Sequence, residues 1–115
     1  LGEQAAAAFL RKNGYKVLAR NYGSRWGEID IVCRHEQSLV FVEVKTRGEN
    51  AWGTPAAAVT KSKQRRLILT AYAYLKELED KNIPCRFDVV EVYLNHGETP
   101  RCELLPAAFE LPDRP

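Results

Sequence analysis

The segment "GEIDIVCRHEQSLVFVEVKTR", Gly27 to Arg47, constrains the fold of this chain more than any other. Its halves, "GEIDIVCR" and "SLVFVEVKTR", both alternate with the period of a strand, and only "HEQ" lies between them. So short a connection cannot return a parallel strand, and the halves must form an antiparallel hairpin. Successive strand side chains point to opposite faces. Glu28, Asp30 and Val32 are expected on one face and Ile29, Ile31 and Cys33 on the other, while Phe41, Glu43 and Lys45 oppose Val40, Val42 and Val44.

Register follows from the apolar residues. With Arg34 opposite Leu39, Asp30 falls across from Glu43 and Glu28 across from Lys45. The other parity would bury carboxylates among valines, at a cost of several kcal/mol per unpaired charge. Opposed Cβ atoms of an antiparallel pair stand roughly 5 Å apart. Two like charges at that distance repel by about 3 kcal/mol at an effective dielectric of about 20, so something positive is needed. Lys45 offsets part of this, and a divalent cation does so better, because Mg²⁺ is held by one or two carboxylates plus water or phosphate oxygen.

The flanking segments point to the same place. "GEQAAAAFLRKNG" reads as a helix closed by Asn13-Gly14, and Glu3 continues its inward stripe of Ala6, Ala7 and Leu10. "YKVLARNY" is a first strand with Tyr15, Val17, Ala19 and Asn21 on one side. After the loop "GENAWG", Thr54-Pro55 opens a helical turn, and a main helix capped by Thr60 is expected from about Lys61 to Asp80. Its inward stripe is Gln64, Ile68, Ala71, Leu75 and Leu78, which leaves Leu67, Leu69 and Tyr74 as exposed apolar positions and a hint of a homodimer. "RFDVVEVYL" and "RCELL" are the fourth and fifth strands, with Asp88 and Glu91 readable as solvent-facing charges. The expected order is α-β-β-β-α-β-β, an α/β fold with a mixed sheet flanked by helices. Residues 1–105 make one domain, and 106–115, with three prolines in the last ten residues, are expected to be an irregular tail.

Composition narrows the classes. At 115 residues, 45% hydrophobic and 28% charged, the chain is an ordinary globular domain, and its longest apolar runs are far too short to span a bilayer. Three cysteines without C-x-x-C spacing fit reduced thiols and a cytoplasmic setting, and with only His35 and His96 beside them a structural zinc site is disfavoured. The net charge of +2 permits nucleic acid as a partner. Lys61, Lys63, Arg65 and Arg66, with Lys45 and Arg47, concentrate cations around the acidic hairpin. Trp52 offers either a stacking platform for a base or an anchor for its own loop, and Tyr72 and Tyr74 read as core or rim residues.

"GEID" followed after 12 residues by "EVK" resembles the acidic pair and E-x-K of the PD-(D/E)xK nuclease superfamily, in its branch similar to Holliday junction resolvases. "LGEQAAAAFLRKNGYKVLARNY", "GEIDIV", "FVEVKTR", "GTPAAAVTKSKQRRL" and "FDVVEV" together resemble the YraN family of bacterial proteins over nearly the whole chain. The resemblance implies a restriction-endonuclease-like core that hydrolyses nucleic-acid phosphodiesters, most simply of branched or structured DNA, with Mg²⁺ or Mn²⁺. It assigns Asp30 and Glu43 as metal-binding carboxylates, Lys45 as the E-x-K lysine, Glu3 as the acid of the first helix and Gln64 as the polar residue at the start of the next. Ile29 stands where the motif's name has proline. The Val44 carbonyl is a further candidate ligand, and Arg47, Lys61, Lys63, Arg65 and Arg66 are candidates for the phosphate backbone. Two other readings stay open, a non-catalytic nucleic-acid or protein-binding module on the same fold, and a purely structural salt-bridge network.

Overall fold

A computed structural model describes residues 2–47, 59–79, 82–94, 97 and 99–109. Its elements are α1 (Gly2–Lys12), β1 (Lys16–Ser24), β2 (Gly27–His35), β3 (Ser38–Arg47), α2 (Lys61–Lys76), β4 (Cys85–Tyr93) and β5 (Arg101–Phe109). The strands form one mixed sheet in the order β1-β2-β3-β4-β5, antiparallel throughout except for the β3–β4 pair. That parallel pair is the one that the crossover through α2 joins, as a return in the same direction requires. Thr54-Pro55 and Trp52 lie outside the described residues.

Each face of the sheet carries one helix. Ala6, Ala7 and Leu10 of α1 pack with Ile31, Cys33, Val40, Val42, Val90 and Val92. Leu67, Ala71 and Leu75 of α2 pack with Ile29, Val32, Leu39, Phe41, Phe87 and Val89 on the opposite face. Thr60 caps α2, its hydroxyl accepting from Lys63 N–H at 3.1 Å. The helix stops at Lys76, short of the expected Asp80, because Glu77 and Leu78 N–H turn back to the carbonyls three residues earlier and tighten the last turn. Leu67 is buried, and Tyr74 sets its ring edge-on to Tyr22 and Phe41, so the exposed stripe expected for a homodimer loses two of its three residues to the core.

The β2–β3 register is the expected one, with Arg34 opposite Leu39 and His35 opposite Ser38 around Glu36-Gln37. The expected alternation of faces fails. Ile29 packs on the α2 side, whereas Ile31 packs on the α1 side, so β2 changes face at Asp30. β1 does the same at the position opposite. Its register shifts between Val17 and Ala19, and Asn21 has a φ of 54° just before Tyr22 pairs with Ile29. Val17 therefore lies on the α1 side and Ala19 on the α2 side, which strict alternation from Tyr15 had excluded, while Tyr22 lies on the α2 side. β1 also runs on to Ser24 and closes a second tight hairpin with Gly27 that the sequence pattern had not marked.

Asp88 and Glu91 are buried, at 1% and 3% exposure, where solvent-facing charges were expected. Both have partners. Asp88 accepts from Arg86 Nε at 3.0 Å, from the Tyr15 hydroxyl at 3.3 Å and from Ala107 N–H at 2.9 Å. The last bond explains why β5 reaches Phe109 instead of ending at Leu105. Pro106 and Ala107, the latter with a φ of 51°, form an irregular step opposite Asp88, whose carboxylate takes the N–H that the ladder drops, and pairing resumes as Phe109 stacks on Phe87 at 4.4 Å.

Candidate active site

The split at Asp30 makes the site. Described β2–β3 pairing ends at Ile31 opposite Val42, one step before Asp30 would face Glu43. Instead the Asp30 carboxylate takes a backbone donor of the partner strand, with Val44 N–H donating to Oδ2 at 2.8 Å. The strands part there, and the charges of acids from two other elements act on Asp30. Burial pushes the Asp30 carboxyl up to about 6; the Val44 N–H opposes this, the charges of Glu43 and Glu3 add to it, and Lys63 relieves it. Asp30 thus feels Glu3 of α1, Glu43 of β3 and Lys63 of α2.

Each neighbour has its own support. Glu3 reaches the site because Gly2 lets the first turn of α1 lie against Thr46 of β3, where a Cβ would collide with the Thr46 hydroxyl. Its Oε1 is buried and has no hydrogen-bond partner among the described residues; Arg20 Nη2 stands 3.9 Å away. Glu43 is nearly enclosed, and Lys63 Nζ approaches its Oε1 at 3.1 Å. Lys45 shares the face of Glu43 and lies beside Glu91 in the parallel β3–β4 register. Burial alone would push the Glu91 carboxyl up, but the Tyr93 hydroxyl at 2.7 Å, Arg47 Nε at 2.7 Å and the charge of Lys45 hold it below its ordinary range.

The predicted residues therefore divide. Glu3, Asp30, Glu43 and Lys63 form one electrostatic unit, with Val44 joined to it through its N–H. Gln64 turns elsewhere, its amide donating to the Val59 carbonyl at 2.8 Å, which fixes the chain entering α2. Arg47 also turns inward to Glu91, and its Nη2 is buried without a partner among the described residues. Lys61, Arg65 and Arg66 are exposed on α2. Glu28 does not oppose Lys45; it pairs through β1 with Gly23 and is exposed. Sequence reasoning missed Glu91 and Tyr93, although a carboxylate amid "DVVEVY" in a central strand was the available signal.

The donors are hard carboxylate oxygens, the chemistry Mg²⁺ and Mn²⁺ prefer, and the orphaned Glu3 oxygen and the strained Asp30 charge both gain from a cation. Among the described residues no group of three or more His, Cys, Asp or Glu side chains is placed to hold a metal ion. What Asp30 and Glu43 share with a Mg²⁺ site is their donor chemistry, one or two carboxylates with the remaining positions left to water or phosphate oxygen.

Fold and site together define a mixed-sheet α/β protein with an acidic centre where a hairpin parts at its sheet's middle. The chain belongs to the family described as Uncharacterised protein family UPF0102, whose model matches residues 2–92. It is 52% identical over 108 residues to a UPF0102 protein of Symbiobacterium thermophilum, covering 94% of this chain and 92% of that one. A Rhodococcus opacus relative is 45% identical over 94% of this chain and 92% of its own length, and one from Trichlorobacter lovleyi 46% over 96% and 88%. No helix among the described residues is long and apolar enough to cross a membrane.

Proposed function

We propose that this site hydrolyses phosphodiester bonds of nucleic acid, with Mg²⁺ or Mn²⁺ held by Asp30 and Glu43 and assisted by Glu3. The observation that carries the reading is Asp30, set where the β2–β3 ladder stops and acted on by the charges of Glu43 and Glu3, with one buried Glu3 oxygen left unpaired. A bound ion there supplies a more acidic water and neutralises phosphate charge. The chain supplies the rest. Val44 N–H aims one oxygen of Asp30 and leaves the other for binding. Lys45 stabilises charge that develops on the phosphoryl oxygens, a gain realised in the transition state. Lys63 neutralises Glu43 while the site is empty and contacts phosphate when substrate is bound. Gln64 is a positioning residue, holding the entry to α2 through Val59. Lys61, Arg65 and Arg66 attract the backbone in a salt-dependent manner.

One observation favours the second reading, a binding module without hydrolysis. The Lys63–Glu43 ion pair already compensates one of the acids. Incubating the protein with branched, flap, single-stranded and duplex DNA and with RNA, in Mg²⁺, Mn²⁺ or EDTA, separates the two. Metal-dependent cleavage abolished by both Asp30→Asn and Lys45→Ala supports hydrolysis; salt-sensitive binding without cleavage supports the module.

A further inference from the structure

We infer that the cleft between the β1–β2 turn and the start of α2 binds an unpaired nucleobase and its phosphate, so that the substrate carries unpaired nucleotides beside the bond to be cut. This deepens the nucleic-acid reading above and rests on it. The cleft has a volume of about 470 Å³ and is lined by Ser24, Arg25, Trp26 and Glu28 on one wall and Lys63 and Arg66 on the other. That volume lies in the range of small-ligand sites, roughly 300–1,000 Å³.

Trp26 is the anchor. It is 39% exposed, one of two exposed large hydrophobic residues among those described, and belongs to neither core cluster. An indole serving only to hold its own turn would be expected to bury itself. The turn that carries this one is held in place from outside. The Trp26 backbone N–H donates to Ser24 Oγ at 3.0 Å, and Ser24 Oγ is tied at 2.9 Å to the hydroxyl of the buried Thr70 in α2. Gly27, with a φ of 151°, closes the turn in a backbone conformation that favours glycine. The Arg25 guanidinium lies 4.4 Å from the centre of the indole ring. The result is a preorganised aromatic platform beside three cations and one acid, Arg25, Lys63 and Arg66 against Glu28.

Charge and π-surface together select the occupant. Bases in a duplex are already stacked on both faces, whereas an unpaired base offers a free face to an aromatic side chain. Lys63 joins the cleft to the acidic centre, since the same ammonium that lines the cleft stands 3.1 Å from Glu43. A nucleotide stacked on Trp26 therefore places a neighbouring phosphate toward the carboxylates.

The test uses the full chain with Trp52→Phe, which leaves Trp26 as the single tryptophan. A short oligothymidylate and a blunt duplex of similar length are titrated in EDTA at low salt, where no cleavage interferes. The single strand is expected to quench Trp26 emission and to bind more tightly than the duplex. Trp26→Ala should weaken single-strand binding about tenfold, with Trp26→Phe losing less. Arg66→Ala should weaken single strand and duplex alike and lower the salt slope by about one. Unchanged emission at saturation, single-strand affinity untouched by Trp26→Ala in a variant that melts normally, or a duplex bound as tightly as the single strand would each overturn the proposal. Absence of cleavage with quenching intact removes hydrolysis and leaves the stacking site supported.

Discussion

Val44 N–H and Asp30 Oδ2 meet at 2.8 Å, and this one bond replaces the β2–β3 ladder at the point where it stops. A carboxylate thereby sits inside a sheet without a strand partner, supported by a backbone donor on one oxygen. Its protonation should register in stability. The native carboxyl is pushed up to about 6 from 3.8, chiefly by burial. Between those values the folded chain keeps a proton that the unfolded chain has released, so stability falls as pH rises through the window and levels off above 6. Asp30→Asn keeps an acceptor for Val44 and removes the charge. Screening of a partly exposed group reduces the gain, so the metal-free variant should be more stable than the parent by about 1–2 kcal/mol at pH 8 and equal to it near pH 4, in urea melts.

Lys63 lowers the proton affinity of Asp30 and pairs with Glu43. Lys63→Ala should therefore raise the Asp30 pKa above that of the parent, read from the pH dependence of its carboxyl ¹³C resonance. The same variant should gain more in Tm from added Mg²⁺ than the parent does, because the ion no longer competes with the ammonium. In the parent the gain should fall away as pH drops through about 6, where a proton takes Asp30, and in the variant the fall should begin at a higher pH.

Arg47 and Tyr93 compensate a carboxylate that is only 3% exposed. Arg47→Ala strands the Glu91 charge and should cost about 3 kcal/mol. Adding Glu91→Gln to that variant should recover part of the loss, and Tyr93→Phe alone should cost about 1 kcal/mol. A double-mutant cycle by chemical denaturation measures the coupling, and simple additivity would contradict the network.

Thr70→Val keeps the shape of a buried side chain and removes the tie to Ser24. The expected loss is about 1 kcal/mol of stability, together with faster hydrogen exchange at Trp26 and Gly27.

The hairpin register, the helix caps and the element order were legible because apolar pattern and turn chemistry act locally. Arg34 had to oppose Leu39, and Thr60 had a free N–H to accept. The face change at Asp30 was not legible, since it depends on Asn21 taking a positive φ and on Val44 exchanging a ladder bond for a side chain, both decided between strands. The burial of Asp88 and Glu91 was hidden for a similar reason. Each looks solvent-facing until Arg86 and Ala107, or Arg47 and Tyr93, are placed against it. Arg47 and Gln64 were read from residue type and position alone, which gave no sign of the contacts that they make with Glu91 and Val59.

The irregularities of β1 have a second effect. β1 is one margin of the sheet, and a margin of regular strand is a template on which another chain can extend the ladder. The register shift after Val17 and the positive φ at Asn21 interrupt its outward row of donors and acceptors within a few residues. At the far margin, Pro106 and Ala107 interrupt β5 in the same way. The β1 kink that lies opposite Asp30 and the β5 step opposite Asp88 therefore also leave the two margins poor docking rails for a growing aggregate.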